Sequence, residues 1–362
     1  MNAYYISNKS NDSNVVLGGL ANTAGGTVQG NTAHSINTGL LPSWLGFTGK
    51  TRQNDLDVEF AISLQPGAST TASLAGGGST ENRQAYISFG DKSWGTVLIG
   101  KNLGEFGRDA ILLDQTLLGV GSQGLVGTAG GTTTTLGRIG TGFLYADFQG
   151  QINYTTPNMN GFQAVIGVVQ PIGAGNSGVT SVATSGSQSQ PAFEAKASYS
   201  FAGDVSGKVW AEAKTQKVDY SSSISATAEA FGLGANINVA GFGVVAYYYD
   251  AKGVGTTAWL RDGVFTGGAR RGSDGGYIQA SYTIPGAGSK IATSWGISKL
   301  DEAAGETATT LVKENEMWTM GVYHPLTKHL NLVAEYSQVQ ATNHADAKNE
   351  SKIMSAGAIL FF

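Results

Sequence analysis

The side chains of this chain that could carry catalytic or metal chemistry are few and scattered. There are four histidines and no cysteine. His324 and His329 flank a short turn, but His34 and His344 lie elsewhere in the sequence. A metal site needs several ligands held together, so we predict no metal and no cofactor. No Ser/His/Asp set or carboxylate pair converges by sequence either, so we predict no catalytic residue and no enzyme activity.

Three further motifs could bind a ligand. The run Gly76-Gly77-Gly78 lacks the helix and the lysine of a phosphate-binding loop. Arg270 and Arg271 fall in a long loop, where they either bind an anion or are simply solvated. The run Tyr247-Tyr248-Tyr249 either stacks on sugars or belongs to an aromatic girdle at a membrane interface. None of these motifs decides a function by itself.

The composition is unusual for a water-soluble protein. Charged residues make up 13% of the 362 residues, against about 25% in a typical globular domain. Glycine is abundant, with 53 residues against 7 prolines. The net charge of −4 is unpatterned, so we predict no nucleic-acid partner. No apolar run approaches the roughly 18 residues of a membrane-spanning helix, so the moderate hydrophobicity must be spread over short segments.

Those short segments alternate in polarity. From Asp55 to Gln65, apolar side chains alternate with small or polar ones, over the roughly 9–11 residues of a tilted membrane strand. The final stretch, Glu350–Phe362, alternates in the same way and ends on two phenylalanines. A strand that ends in aromatic residues suits a membrane interface. Similar alternation recurs over 193–201, 208–214, 277–284 and 330–337.

The connections between these segments sort into two sizes. Seven short turns alternate with seven long, Gly-rich polar stretches, and Val218–Ser222 is predicted as a further, short outer turn, which gives seven inner and eight outer connections. Membrane β-barrels have short turns at one end and longer loops at the other. We therefore predict an all-β fold, a transmembrane antiparallel β-barrel of sixteen strands, as a single domain over residues 1–362. No apolar signal segment follows Met1, so we expect an export signal to have been removed.

Several motifs together resemble a known family. Asn82–Gly90 and Trp94–Lys101 are similar to two of its strands joined by a tight turn. Gln151–Phe162 and Val322–Tyr336 are similar to later segments, and the final strand completes the match. In this order and spacing they resemble the sixteen-stranded trimeric general porins of Gram-negative outer membranes, in the style of β-proteobacteria.

The resemblance implies a location, partners and a function. It implies a homotrimer in the bacterial outer membrane, in contact with lipid and lipopolysaccharide. It also implies a water-filled channel for passive diffusion of small hydrophilic solutes and ions. In this family the third loop folds into the barrel and narrows it, with loop acids facing wall bases. That loop would span 102–137 here.

The resemblance also implies which residues form the constriction. The loop residues are Glu105, Arg108, Asp109 and Asp114, and the wall bases are Lys101, Arg138 and Arg83. Opposed charges across a narrow channel produce a strong transverse field and govern which ions pass.

Two features of this region are unusual for the family. Strand alternation places Lys101 on the outward side with Ile99, so an inward Lys101 requires a bulge near Gly100. The predicted loop is also apolar, and its side chains either pack against the wall or a neighbouring subunit, or form a partly hydrophobic constriction. The apolar residues are Ile111, Leu112, Leu113, Leu117, Leu118, Leu125 and Val126.

Other functions remain as alternatives. A substrate-selective channel would show a continuous line of inward aromatic residues. A plugged structural or adhesive outer-membrane barrel would show long, aromatic-rich outer loops, whereas these loops are mostly Gly, Ser, Thr and Ala. A soluble β-sandwich lectin would not segregate short from long connections so regularly, and a β-helix would show a repeat of fixed period.

Overall fold

A computed structural model describes residues 1–10, 14–21, 32–68, 80–123, 134–172 and 188–362. Seventeen of its strands form one antiparallel sheet, and two short strands form a separate ribbon. The strands are β1 (Asn2–Ser10), β2 (Thr32–Asn37), β3 (Leu45–Gln53), β4 (Leu56–Leu64), β5 (Ala85–Asp91), β6 (Gly95–Leu103), β7 (Phe148–Thr155), β8 (Phe162–Val169), β9 (Ala192–Phe201), β10 (Val205–Asp219), β11 (Ser225–Val239), β12 (Phe242–Lys252), β13 (Val264–Phe265), β14 (Ala269–Arg270), β15 (Gly272–Thr283), β16 (Lys290–Leu300), β17 (Val312–Pro325), β18 (Leu330–Asn343) and β19 (Lys348–Leu360). The helix α1 (Arg108–Leu113) and two 3-10 turns, Gln115–Leu118 and Thr266–Gly268, complete the elements.

The strands are apolar on the outside and polar on the inside. On β4, Phe60, Ile62 and Leu64 are each exposed by more than two fifths, whereas Ala61 and Ser63 between them are buried. The same arrangement recurs on β11, β12, β15 and β17. An exposed apolar belt of this extent is unfavourable in water and favourable in a lipid bilayer. No helix in the described ranges has the length and hydropathy needed to span a bilayer.

The sheet curls so that the first and last strands of the chain pair with each other. β1 pairs along its length with β19 and, on its other side, with β2. Among the described residues no ladder joins β2 to β3, although both run in the same direction, opposite to β1. Counting them as the two halves of one interrupted strand leaves sixteen strands around the barrel, so the predicted architecture is confirmed.

The interruption, residues 38–44, turns into the barrel. The N–H of Gly39 donates to the side-chain oxygen of Asn2 at 2.9 Å, and the N–H of Leu40 donates to Gly119 O at 2.9 Å. A side chain at Gly39 would lie 2.2 Å from that same Gly119 oxygen, so only glycine allows this approach. The wall at this point is therefore fastened to a loop inside the barrel.

Two long connections fill part of the barrel. The third loop runs from Gly104 to Asp147 and includes α1, so it extends beyond the predicted end at Gly137. The loop between β12 and β15 also folds inward, and its Trp259 packs on Phe106 of the third loop with ring centres 6.1 Å apart. The lumen therefore narrows to the space that these two loops leave free.

Candidate functional site

Wall carboxylates hold the beginning of the third loop. The backbone N–H of Glu105 donates to Glu194 on β9 at 2.6 Å. The N–H of Gly107 donates to Glu212 on β10 at 2.8 Å. Both acceptors are buried, and hydrogen bonds to ionised groups are among the stronger ones in proteins.

A third wall carboxylate holds the loop further along. Glu335 on β18 accepts hydrogen bonds from the N–H groups of Val120 at 2.7 Å and Gly121 at 3.0 Å. Its other oxygen accepts from the hydroxyl of Tyr323 at 2.6 Å. The loop is thus fixed to opposite ends of the arc from β9 to β18.

The first two loop acids face wall lysines. Lys196 on β9 lies 2.6 Å from Glu105 and 3.1 Å from Asp109. Lys208 on β10 lies 2.5 Å from Asp109, and Arg108 pairs with Glu105 within the loop. Burial raises the pKa of Asp109, but the two lysines outweigh burial and hold it below its usual value.

The last of the three predicted acids in the third loop, Asp114, is paired inside the loop. Its carboxylate caps the following 3-10 turn at Thr116 N, 3.1 Å away, and lies 3.7 Å from the guanidinium of Arg138. Both Asp114 and Arg138 are fully buried, and burial raises the pKa of Asp114 although Arg138 opposes the shift. Arg138 also donates to Met317 O at 3.0 Å and to Ser294. It is therefore a loop residue buried against the wall, not a wall base at the channel.

The predicted constriction residues therefore separate into two groups. Glu105, Arg108, Asp109, Asp114 and Arg138 lie where the loop meets the wall. Arg83 and Lys101 lie elsewhere, at a cavity on the other side of the loop.

That cavity has a volume of about 530 Å³ and lies between the third loop, the wall and the inward loop after β12. Three basic side chains line it, Arg83, Lys101 and Arg261, with two acidic ones, Glu81 and Asp147. Its remaining lining is mostly apolar and comes largely from the third loop and the strand interruption. The apolar side includes Leu40, Leu41, Leu103, Ile111, Leu112, Leu117, Leu136 and Ile139.

The backbone at Gly100 brings Lys101 to this cavity. Gly100 has φ +130°, a conformation that favours glycine, and a side chain there would lie 2.3 Å from Ala85 O. Register with β5 and β7 continues through this point without a shift. The expected bulge is therefore absent, and the twist at one glycine turns Lys101 inward, where its Nζ donates to Asn82 O at 2.7 Å.

The other two bases of the cavity are partly engaged. Nε of Arg83 lies 2.8 Å from Glu81, and its guanidinium lies 5.2 Å from the ring centre of Phe148. Nε of Arg261 lies 3.8 Å from Asp262. Burial raises the pKa of Asp147, which weakens the negative charge on this lining.

The predicted apolar loop residues divide between the two interpretations. Ile111 is buried, and Leu113 and Leu117 pack partly on the core. Leu112 is 49% exposed and faces the cavity. Leu125 and Val126 lie outside the described residues.

The remaining motifs take structural positions. Tyr247 and Tyr249 point inward and are buried, so they are not part of an outer girdle, and Tyr248 points outward. Arg271 is buried and paired with Glu306 through two nitrogens, at 2.5 and 2.8 Å.

The neighbouring Arg270 pairs with Glu229 at 2.8 Å. The described residues hold no group of three or more His, Asp or Glu side chains with metal-binding geometry.

Sequence reasoning missed the wall residues that hold the loop, namely Glu194, Lys196, Lys208, Glu212 and Glu335. A signal for them was present. Each charged side chain alternates with apolar residues that face outward, so each had to lie inside the barrel. The alternation does not reveal which residue each of these side chains contacts across the lumen.

Comparison with known proteins identifies the family. The family model for Gram-negative porins matches residues 7–344. The chain belongs to this family. No curated protein matches this porin at a significant level.

Solved structures agree in fold. The outer membrane channel DcaP of Acinetobacter baumannii is 15% identical, covers 99% of this chain and 95% of its own, and has a TM-score of 0.70. An anion-selective porin from Comamonas acidovorans is 15% identical, with 100% and 99% coverage and a TM-score of 0.63. OmpT of Vibrio cholerae, in its trimer form, is 13% identical, with 99% and 98% coverage and a TM-score of 0.57.

The porin is thus an outer-membrane channel for passive diffusion, as the motifs predicted, and not an enzyme. Its fold agrees with that assignment, since the lipid-facing side is apolar and the charged side chains lie inside.

Proposed function

We propose that solutes cross the narrow part of this porin through the cavity beside the third loop, and that the passage favours anions. The observation that carries this proposal is the charge of the lining. Three basic side chains, Arg83, Lys101 and Arg261, stand against two acidic ones, Glu81 and Asp147; Glu81 pairs with Arg83, which leaves Lys101 and Arg261 against Asp147. Clusters of one charge at a constriction select ions of the other.

The acids of the third loop then serve a different purpose from the one expected. Glu105, Asp109 and Asp114 are engaged by Lys196, Lys208 and Arg138, away from the cavity. In this proposal they hold the loop in place and do not attract passing cations. Arg108 shares that role through its pair with Glu105.

In this proposal the barrel is open to water on the short-turn side of the loop. Inward side chains there form charged pairs that remain accessible, such as Lys50 with Glu59 at 2.9 Å and Arg52 with Asp57 at 2.8 Å. The side chain of Lys50 is 74% exposed although it points into the barrel. Small hydrophilic solutes would cross this part in solution.

Assembly and partners are part of the same proposal. A homotrimer in which each chain forms one barrel domain over residues 1–362 is consistent with the trimer form of the structurally similar OmpT. The apolar belt would contact outer-membrane lipid, lipopolysaccharide and neighbouring subunits.

The test is conductance of the purified porin in a planar lipid bilayer under a salt gradient. We expect steps in groups of three and a reversal potential of the sign that anion preference gives. Lys101→Gln should move the reversal potential toward cation preference. Lys50→Gln removes the same charge outside the cavity and should move it much less.

Two results would contradict the proposal. Absence of conductance from protein that is folded would favour a plugged structural barrel. An equal shift from both lysine variants would mean that the cavity does not set the ion preference.

A further inference from the structure

We infer that the solutes this porin favours are organic anions with an apolar body, such as a carboxylate on a short hydrocarbon chain. The inference rests on the proposed diffusion path and names the class of solute that the path suits. It comes from the unequal chemistry of the two sides of the cavity. One side is basic and the other is a surface of leucine and isoleucine.

The apolar side faces the cavity because hydrogen bonds join the opposite face of α1 to the barrel wall. The carbonyl of Ala110 accepts from the hydroxyl of Tyr277 at 2.8 Å, and the carbonyl of Leu113 accepts from Gln279 at 3.1 Å. Asp109 is held by Lys196 and Lys208. These contacts bond α1 to the wall on the face opposite the cavity. Leu112 lies between the bonded residues and therefore stays directed at the cavity.

The strand interruption extends this apolar side. Leu40 and Leu41 line the cavity together with Leu112 and Leu117. Leu40 is held there by its N–H bond to Gly119 O at 2.9 Å. Apolar side chains from two separate parts of the chain thus form one surface, which is larger than a single exposed leucine would provide.

The basic side offers hydrogen-bond donors that the protein does not use fully. Among the described residues, the ammonium of Lys101 bonds to Asn82 O at 2.7 Å and has no carboxylate within ion-pair distance. Arg83 uses Nε for Glu81, at 2.8 Å, and its two terminal nitrogens make no bond within the described ranges. A planar carboxylate suits such donors.

The two sides together discriminate among anions of equal charge. An anion with an apolar body would remove water from the leucine surface while its carboxylate stays near Lys101 and Arg83. A polyhydroxylated anion of the same carbon number would lose water from hydroxyls that find no partner on that surface, which is unfavourable. Permeation should therefore rise with the apolar character of the solute.

The test compares the permeabilities of two six-carbon monoanions, hexanoate and gluconate. The potassium salt of one anion is placed on each side of a bilayer that contains the porin, and the reversal potential gives the permeability ratio. We expect the hexanoate-to-gluconate permeability ratio to exceed the ratio of their free mobilities by about fourfold, the factor given by burial of one methylene group. The double variant Leu112→Ser and Leu117→Ser should lower the ratio toward that of the free mobilities. Leu326→Ser, at an exposed turn outside the cavity, is the matched control and should leave it unchanged.

The outcomes separate this inference from the function on which it rests. If the unmodified protein shows no conductance at all, the proposed diffusion path itself is overturned. Chloride conductance with a hexanoate-to-gluconate ratio equal to that of the free mobilities would overturn only the inference about solute class. A raised ratio that survives in the double leucine variant would overturn the assignment to the apolar side.

Discussion

The ammonium group of Lys196 lies 2.6 Å from the carboxylate of Glu105, so a barrel strand and the constriction loop share a buried ion pair. Asp109 lies 3.1 Å from the same ammonium group. The lysine therefore compensates two loop charges at once.

Replacing this lysine by an apolar side chain should loosen the loop. In Lys196→Met, Glu105 and Asp109 would lose a buried partner, and such losses cost about 3 kcal/mol. We expect a lower midpoint of urea unfolding and a larger, noisier single-channel conductance. Lys50→Met is the control, because the pair of Lys50 with Glu59 is largely exposed. Equal effects in both variants would contradict a special role for Lys196.

A second prediction concerns Glu335, whose oxygens accept hydrogen bonds from Val120, Gly121 and Tyr323. Glu335→Ala would leave two buried N–H groups without an acceptor, at a cost of about 2 kcal/mol. We expect this variant to conduct more and to fluctuate between levels. Glu335→Gln retains one acceptor oxygen and should lie between wild type and the alanine variant. If the alanine variant conducts like wild type, the loop does not depend on this anchor.

A third prediction concerns the glycine before Lys101. Gly100→Ala would force a side chain into a left-handed conformation, 2.3 Å from Ala85 O, with a penalty of about 2 kcal/mol. We expect lower stability to urea and a reversal potential shifted toward cation preference, since Lys101 would no longer be turned inward. Gly150 pairs with Lys101 on the neighbouring strand, and its nearest contact for an added Cβ is 3.7 Å away. Gly150→Ala should therefore change neither the stability to urea nor the reversal potential. If both variants shift these quantities, the backbone at Gly100 is not the reason that Lys101 points inward.

A fourth prediction concerns pH and the loop that contains Arg271. Burial raises the pKa of Glu306, but the hydrogen bonds from Arg271 outweigh it and lower the pKa overall. A lowered folded-state pKa gives stability that is complete above the unfolded glutamate pKa and is lost as pH falls through the folded value.

Amide hydrogen exchange of residues 253–271 should measure this. Protection should be the same at pH 7 and pH 5, and should fall only below the ordinary glutamate pKa of about 4.3. Arg271→Met should lack protection at every pH. Protection in wild type that declines already between pH 7 and pH 5 would point to another titrating group.

Local patterns were enough to predict much of the barrel. The alternation over Asp55–Gln65 corresponds to β4, and the alternation over Glu350–Phe362 corresponds to most of β19. The short outer turn predicted at Val218–Ser222 separates the long strands β10 and β11. These features depend on residues that are close in sequence, so the alternation of apolar and polar side chains every second residue predicts them directly.

Features that depend on contacts across the lumen could not be predicted. Alternation places Lys196 inside the barrel, but only the docked loop reveals that its partners are Glu105 and Asp109. Simple parity placed Lys101 outside, because it cannot anticipate a left-handed glycine within a strand. The inward fold of the loop after β12, which buries Trp259, leaves no local signal either.

The interruption at residues 38–44 couples the barrel wall to the third loop. The wall between β2 and β3 has no ladder among the described residues, and its inward segment bonds to Gly119 of the third loop through Leu40. Movement of the third loop would break that bond and release the inward segment of the wall. The width of the passage and the shape of the wall at this point are therefore linked by one backbone hydrogen bond.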